Sequence, residues 1–127
     1  MSAAIRVYQE DSFTMVDIKD GTVIDMAQEL SIYRQRQVLY QQQDQRKQLA
    51  IYMGRIEALD FAASRYACGE DFAVITQAKA MVLDNTLNRT FANMMLKMNR
   101  PAFPVYICAS VQQARQRLSQ HLNPELT

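Results

Sequence analysis

The sequence predicts an α/β domain in which an N-terminal hairpin is followed by alternating helices and mostly parallel strands, about five strands and four helices in all. Three observations carry this prediction. Two short runs near the N-terminus are rich in β-branched and aromatic residues, three later runs are continuously apolar, and amphipathic segments of helix length separate them. A chain of 127 residues can bury one such core, so we expect a single domain over residues 1–127.

The opening hairpin consists of residues 5–8, IRVY, and residues 13–18, FTMVDI, with a polar EDS turn between them. The break KDGT follows, in which Thr22 is placed to cap a helix and Asp25 stands three residues later, as in a capping box. The spacing of the apolar residues after this break predicts a helix with one apolar face. That face consists of Val23, Met26, Leu30 and Tyr33.

The segment RQRQVLYQQQDQRKQ, residues 34–48, is strongly polar, and its plain interpretation is a solvated helix end and loop. A nucleic-acid contact is the alternative, because basic side chains gather here beside two tyrosines. The net charge of +1 and the lack of a nucleic-acid-binding fingerprint count against that alternative. The residues concerned are Arg34, Arg36, Arg46 and Lys47, with Tyr33 and Tyr40.

Three continuous apolar runs predict buried parallel strands: LAIYMG at 49–54, KAMVLD at 79–84 and VYIC at 105–108. Helix signals separate these runs. Asp60 is placed as the N-cap of the helix FAASRYAC, and EDFAVITQ, residues 70–77, predicts another short helix.

Two more helices complete the pattern. Asp84 or Asn85 is placed to cap TLNRTFANMMLKMN, residues 86–99. Ser110 is placed to cap the last helix, with Gln113 three residues later as in a capping box. The apolar face of that last helix consists of Val111, Ala114 and Leu118.

The methionine-rich helix has apolar residues at spacings of three and four, which predicts an amphipathic helix laid on the sheet. Methionine fills irregular gaps in a core, so core packing explains several of them in one helix. Two adjacent methionines also widen the apolar arc, and the alternative is that the surplus forms a homodimer contact. The predicted apolar side consists of Leu87, Phe91, Met94 or Met95, and Met98.

Residues 79–118 carry a further pattern: a strand that ends in Asp84, a helix with an aromatic and small-residue face, Asn99-Arg100-Pro101, Phe103-Pro104, a strand and a final helix. This order resembles the C-terminal half of small bacterial STAS-like proteins, and more narrowly their SpoIIAA-like branch. The resemblance implies a mixed sheet with helices mainly on one side. It also implies a binding or regulatory role rather than catalysis.

The same resemblance implies a place for a phosphorylated serine, at the start of the helix after the third strand. In this sequence that helix starts at Asp60 and Phe61, and Phe61 occupies the expected acceptor position. A phenylalanine cannot accept phosphate, and Ser64 lies about one helical turn further on. We therefore carry no phospho-switch over to this chain.

Composition argues against several function classes. His121 is the only histidine, so a catalytic triad or a His-based metal site is not expected, and His121 is interpreted as an exposed bystander. The three glycines form no phosphate-binding motif. Cys68 and Cys108 are interpreted as reduced thiols of a cytoplasmic protein. No apolar run reaches the roughly 18 residues of a membrane span, and the N-terminus resembles neither a signal peptide nor an anchor. We expect no cofactor, metal, nucleic acid or membrane partner.

Polar residues that follow the predicted parallel strands form a candidate ligand site. Ligands of open α/β sheets gather at the carboxyl ends of the strands, where helix N-termini also offer N–H groups to an anion. The same residue types cap helices, so capping is the competing interpretation. The candidates are Arg55, Asp60, Asp84, Asn85, Arg89 and Ser110.

The sequence therefore predicts a non-enzymatic STAS-like domain that acts in regulation or protein interaction and forms a homodimer, with a regulatory protein as a further partner. The alternative is a small-molecule or anion sensor that uses the strand-end candidates. An enzyme is the third hypothesis, and it would need acid–base chemistry from Asp60, Asp84 or Glu57 alone.

Overall fold

The computed structural model of the protein describes residues 4–83 and 85–122, without the side chains of residues 56–59 and 87. Strands and helices alternate along most of this range. The strands are β1 (Ile5–Glu10), β2 (Phe13–Ile18), β3 (Thr22–Ile24), β4 (Gln48–Met53), β5 (Ile56–Leu59), β6 (Thr76–Val82) and β7 (Val105–Cys108). The helices are α1 (Met26–Gln42), α2 (Phe61–Ala67), α3 (Glu70–Ile75), α4 (Thr86–Asn99) and α5 (Val111–Ser119).

Five strands form one mixed sheet in the order β1-β2-β4-β6-β7. β1 and β2 are the predicted antiparallel hairpin, with Ile5 opposite Ile18, while β2, β4, β6 and β7 run parallel to one another. The helices between the parallel strands are the crossovers that parallel pairing requires. The predicted α/β class, with its hairpin and its five-stranded, mostly parallel sheet, is confirmed.

Two details of the local prediction are wrong. Thr22 does not cap α1, because residues 22–24 form β3 and pair with β5 in a separate two-stranded parallel sheet. Asp25 is the cap instead, and its side chain accepts a hydrogen bond of 3.0 Å from the backbone N–H of Gln28. The second error is at Thr76 and Gln77, which begin β6 rather than end a helix, since Thr76 pairs with Gln48 of β4.

The other predicted caps are confirmed where the structure describes them. Each side-chain oxygen accepts a hydrogen bond from the backbone N–H three residues later, and this satisfies a donor that the first helical turn leaves open. Asp84, the alternative cap of α4, lies outside the described residues. The three pairs are Asp60 with Ala63 at 3.2 Å, Asn85 with Asn88 at 3.3 Å and Ser110 with Gln113 at 3.1 Å.

The two faces of the main sheet have separate cores. One face packs against α1, α2 and α3, and its buried cluster includes Val16, Ala50, Phe72 and Ile75. The other face packs against α5 alone among the described helices, and its cluster includes Met15, Ile51, Ala80 and Leu118. The helices therefore lie mainly on one side of the sheet, as the STAS-like resemblance implies.

Helix α4 is rotated relative to the predicted packing. Ala92 and Met95 are buried, whereas Phe91, Met94 and Met98 expose 43%, 50% and 59% of their surface. The small side chain of Ala92 lets this side of α4 face inward, on the side of the helix that contacts α2 and β7. The prediction of a core stripe is right for Met95 and wrong for Phe91 and Met98, and the side chain of Leu87 lies outside the described part of the structure.

Candidate functional site

The predicted strand-end candidates serve mainly to close backbone structure. Arg55 follows β4, and its backbone N–H donates to Asp20 Oδ1 at 2.8 Å. Arg89 donates from its guanidinium to the Leu83 carbonyl at 2.8 Å and to Thr86 Oγ1 at 3.1 Å, which ties α4 to the end of β6.

Asp60, Asn85 and Ser110 act as helix caps. The sequence analysis placed Asp60 after a strand of the main sheet. In the structure, β5 lies between β4 and Asp60 along the chain, and β5 belongs to the small sheet. Asp84 cannot be placed, because it lies outside the described residues. A role of these six residues in ligand binding stays a prediction.

A cavity of about 50 Å³ lies between the sheet and helices α1, α2 and α4, and we call it the Glu29 cavity. It opens where the predicted site was expected, since Met53 and Val82, the last residues of β4 and β6, line it. A site of this size holds more than one water molecule, which needs roughly 10–15 Å³. Its apolar wall includes Ile18, Ile24, Met53, Ala67, Met81, Leu83, Ala92, Met95 and Leu96.

Gly54 forms part of the cavity wall next to the end of β4. Its backbone has a φ of +121°, and a Cβ at this position would collide with the Ile18 carbonyl of the neighbouring strand β2. Only glycine fits such a conformation and such a close approach without strain. The position is therefore fixed by the packing of β2 against β4 at the cavity.

Glu29 brings a carboxyl group into this apolar cavity. It lies in the first turn of α1, and only 3% of its surface is exposed. Its Oε2 has no hydrogen-bond partner among the described residues. Burial raises the pKa of Glu29 above its ordinary value, against the opposing attraction of Lys79 and Arg36. The pKa shift shows that water loss outweighs the two positive charges nearby.

Lys79 supplies a buried ammonium on the opposite wall. It belongs to β6, exposes 6% of its surface and lines the cavity. Its Nζ lies 4.1 Å from the centroid of the Tyr52 ring. An ammonium over an aromatic face is stabilised by the ring quadrupole, more strongly when water is excluded. Glu29 and Lys79 thus place opposite charges on two walls of one apolar cavity.

Arg36 lies on α1, two helical turns after Glu29, and holds the polar side chains near Lys79 in place. Arg36 is completely buried, so it is not part of a basic surface patch. The nucleic-acid alternative included Arg36 among its contacts, and this residue is not available for such a contact. Its Nε donates to Gln48 Oε1 at 2.7 Å, and its Nη1 donates to the Tyr52 hydroxyl at 3.1 Å. Its Nη2 donates to Thr76 Oγ1 at 2.6 Å. Arg36 therefore fixes the tyrosine ring on which Lys79 lies.

The cavity also contains two groups that are nucleophiles in some enzymes. Burial raises the pKa of the Cys68 thiol, so the thiol stays protonated at neutral pH. The hydroxyl of Ser64 accepts a hydrogen bond of 2.9 Å from Asn99 Nδ2. Neither group is paired with a histidine, since His121, the only one in the chain, is hydrogen-bonded at 2.9 Å to Tyr106. Neither the thiol nor the hydroxyl therefore has an imidazole base beside it.

Some sequence interpretations of single residues change. His121 was expected to be an exposed bystander, but it is partly buried through its contact with the Tyr106 hydroxyl. Cys68 and Cys108 are both free and buried. Among residues 4–83 and 85–122, no group of three His, Cys, Asp or Glu side chains is placed to hold a metal ion. None of the helices in the same ranges is long and apolar enough to cross a bilayer.

The sequence prediction missed Glu29 and Lys79, which are central to the cavity. The predicted apolar face of α1 runs through Leu30, whereas the buried residues are Glu29, Ile32 and Arg36. Their spacing of three and four is as regular as that of the apolar face. Two features of the sequence could have indicated these residues. Glu29 shares the helical spacing of Ile32 and Arg36, and Lys79 is a charged residue at the start of an otherwise apolar strand.

Comparisons with known proteins agree with the fold. The model of one family, described as "Domain of unknown function (DUF7793)", matches residues 7–122. The crystal structure of an uncharacterized protein of the DUF3478 family from Shewanella loihica PV-4, with a SpoIIAA-like fold, is similar at a TM-score of 0.59 and 11% sequence identity. The match covers 93% of this chain and 98% of that one. No curated protein matches the sequence. The SpoIIAA-like fold predicted from residues 79–118 is thereby confirmed.

Proposed function

The chain belongs to the DUF7793 family, a domain of unknown function, and we propose that it is a non-enzymatic regulatory domain that binds a small, largely apolar molecule in the Glu29 cavity. One observation carries the proposal: a buried carboxyl oxygen without a hydrogen-bond partner among the described residues lies in the wall of an apolar cavity. An unsatisfied buried polar group costs about 1–3 kcal/mol, and more when it is charged. Native proteins keep such groups mainly where a ligand or a water satisfies them.

The position of the cavity supports the same function. Ligands of open α/β sheets bind beyond the carboxyl ends of parallel strands, and the Glu29 cavity is lined by the last residues of β4 and β6. The ligand site that we propose therefore lies at the carboxyl ends of the strands, as in the sensor alternative predicted from the sequence. The proposed contacts change, however, from the six strand-end candidates to the buried Glu29 and Lys79.

The absence of catalysis in this proposal rests on the state of the cavity groups. Cys68 is a buried thiol with a raised pKa, and Ser64 is hydrogen-bonded to Asn99. A nucleophile needs a base within hydrogen-bond reach, and Glu29 Oε2 has no hydrogen bond to either group among the described residues. Binding is the chemistry that the described groups support.

The test is NMR mapping of the purified protein with small apolar compounds. We expect the amide signals that shift most to belong to residues of the Glu29 cavity, such as Gly54, Cys68 and Leu83. The variant Ala92→Leu should lose most of this binding, because the larger side chain fills the cavity. Ala27→Leu is the matched control, since Ala27 is exposed on α1. Binding that persists unchanged in Ala92→Leu, or shifts scattered over the surface, would contradict a cavity site.

We also propose that the outer side of α4 is a contact between two copies of this chain. Phe91, Met94 and Met98 are exposed there on successive turns, while Ala92 and Met95 of the same helix line the cavity. A ligand that displaces α4 would thereby change the surface that a partner meets. The three side chains can form only the centre of an interface, because a standard interface buries about 800 Å² per partner. The homodimer that we propose is therefore weak and dependent on concentration.

Sedimentation equilibrium over a range of protein concentrations tests the dimer. The variant Met94→Lys should shift the equilibrium toward monomer, whereas Asn93→Lys, on the next and already polar position, should leave it unchanged. A chain that stays monomeric at every concentration would exclude the homodimer. That result would leave the ligand proposal intact.

A further inference from the structure

The head group that fits the Glu29 cavity follows from the two charges on its walls, and this inference rests on the ligand-binding function proposed above. Glu29 Oε2 is an acceptor that has no donor among the described residues. The other ion in the wall, the Lys79 ammonium, is a donor that lies over the Tyr52 ring. In its ionised form, Glu29 is therefore satisfied only by a ligand that donates a hydrogen bond.

A charged head group is disfavoured from either side. A carboxylate brings no donor at neutral pH, and either a carboxylate or a phosphate would add a second negative charge beside the unpartnered oxygen of Glu29. An ammonium would donate to Glu29, but it would enter a buried cluster that already holds the cations Lys79 and Arg36. Unfavourable charge pairs of this kind in a low-dielectric site are an effective means of rejecting a wrong ligand.

A hydroxyl meets both requirements with a single atom. It donates its proton to a carboxylate and accepts from an ammonium, and it leaves the net charge of the cluster unchanged. It is also small, which matters in a cavity of about 50 Å³. The rest of the ligand meets side chains such as Ile18, Ala67 and Leu96, which offer an alkyl chain no polar partner.

We infer that the Glu29 cavity binds an uncharged apolar molecule through a hydroxyl group, which donates to the carboxylate of Glu29 and accepts from the ammonium of Lys79. Alkyl alcohols represent this class. Carboxylic acids and amines of the same chain length bind more weakly, although their apolar parts are identical.

The experiment compares 1-hexanol, hexanoate and hexylammonium at pH 7 by NMR titration of the whole chain. We expect 1-hexanol to bind about tenfold more tightly than either ion, as the loss of about 1.4 kcal/mol would give. The variant Glu29→Gln removes the negative charge but keeps the shape, so the preference of 1-hexanol over hexanoate should fall to about threefold or less. Lys79→Met should in turn reduce the preference of 1-hexanol over hexylammonium.

The outcomes separate this inference from the proposed function. Cavity binding in which hexanoate or hexylammonium equals 1-hexanol would overturn the hydroxyl assignment and leave a ligand-binding domain. A preference for 1-hexanol that both Glu29→Gln and Lys79→Met retain would overturn it as well, since neither charge would then set the selectivity. No cavity shifts with any of the three compounds, nor with the wider set of apolar compounds, would overturn both proposals.

Discussion

The two faces of the five-stranded sheet are closed by different chemistry. Under α5, the described members of the buried cluster are all apolar, from Phe13 on β2 to Leu118 on the helix. On the opposite face, Arg36, Glu29 and Lys79 are buried alongside the apolar cluster. Both faces are covered by helices, so coverage alone does not explain why only one of them contains ions.

The difference between the two faces concerns the buried ions, which are not needed to close a sheet. Removing ions from water costs several kcal/mol each, and apolar residues of similar volume often close a core at least as well. The α5 side shows that this sheet can be closed in that way. On the other side, Glu29 and Lys79 line the cavity to which we assign a ligand, and Arg36 is hydrogen-bonded to Tyr52 in the cavity wall.

The largest expected effect comes from a substitution on the face of the sheet that contains the buried ions. Arg36→Leu should lower the free energy of unfolding by about 3–5 kcal/mol, because it removes the donor from Gln48, Tyr52 and Thr76 in a buried site. Urea denaturation followed by circular dichroism measures this. Arg34→Leu, an exposed position on the same helix, should change the free energy by less than about 0.5 kcal/mol. Equal effects from the two variants would mean that Arg36 is not buried.

The second-largest effect comes from a substitution on the apolar face of the sheet, which packs against α5. Leu118→Ala should cost about 2–5 kcal/mol, the usual penalty for a cavity in a packed core, since Leu118 is completely buried on the inner side of α5. Leu122→Ala is the control, because Leu122 is 40% exposed. The Leu118 variant should leave the binding of 1-hexanol intact wherever the protein is folded. Loss of binding would show that the two faces are not independent.

A smaller effect concerns how α5 begins. Ser110→Ala removes the side-chain oxygen that accepts from the Gln113 N–H at 3.1 Å, and we expect a loss of about 1 kcal/mol. The same denaturation experiment measures it, with the exposed Gln112→Ala as a reference. A loss near zero would mean that the packing of Leu118 and Ala114 fixes this helix without its cap.

The last effect, that of Glu29→Gln, is informative through its dependence on pH. Burial raises the pKa of Glu29 in the folded state above its ordinary value of 4.5, so the folded protein binds this proton more tightly than the unfolded chain. The contribution to stability is therefore complete below pH 4.5 and is lost as the pH rises through the folded value. Relative to wild type, Glu29→Gln should become more stable as the pH rises from acid to neutral. A constant difference would contradict the raised pKa.

Most of the fold was predictable because its signals are local. Continuous apolar runs mark β4, β6 and β7, and cap residues mark the starts of α2 and α5. The small sheet of β3 and β5 was not predictable in this way. Its strands have three and four residues, too short for periodicity, and only their pairing with each other makes them strands.

The candidate site was predictable in place but not in composition. The Glu29 cavity lies at the carboxyl ends of β4 and β6, where strand topology favours a ligand, but none of the five described candidates lines it. Glu29 and Lys79 were missed because a buried ion is recognised by its surroundings, and those come from α1, β4 and β6 together. Similarly, α4 offers apolar residues on more than one side, and only its contacts decide that Met95 is buried and that Met94 and Met98 are exposed.

The most direct test of the central claim is the pKa of Glu29 itself, measured from the carbon chemical shift of its carboxyl group during an NMR pH titration. We predict a midpoint clearly above the ordinary 4.5, because the carboxyl group is buried and one of its oxygens is unsatisfied. We also predict that saturating 1-hexanol lowers this midpoint, since a donated hydrogen bond stabilises the carboxylate. A midpoint at or below 4.5 would show that Glu29 is solvated or fully paired, and the cavity would then lose its reason to bind a ligand.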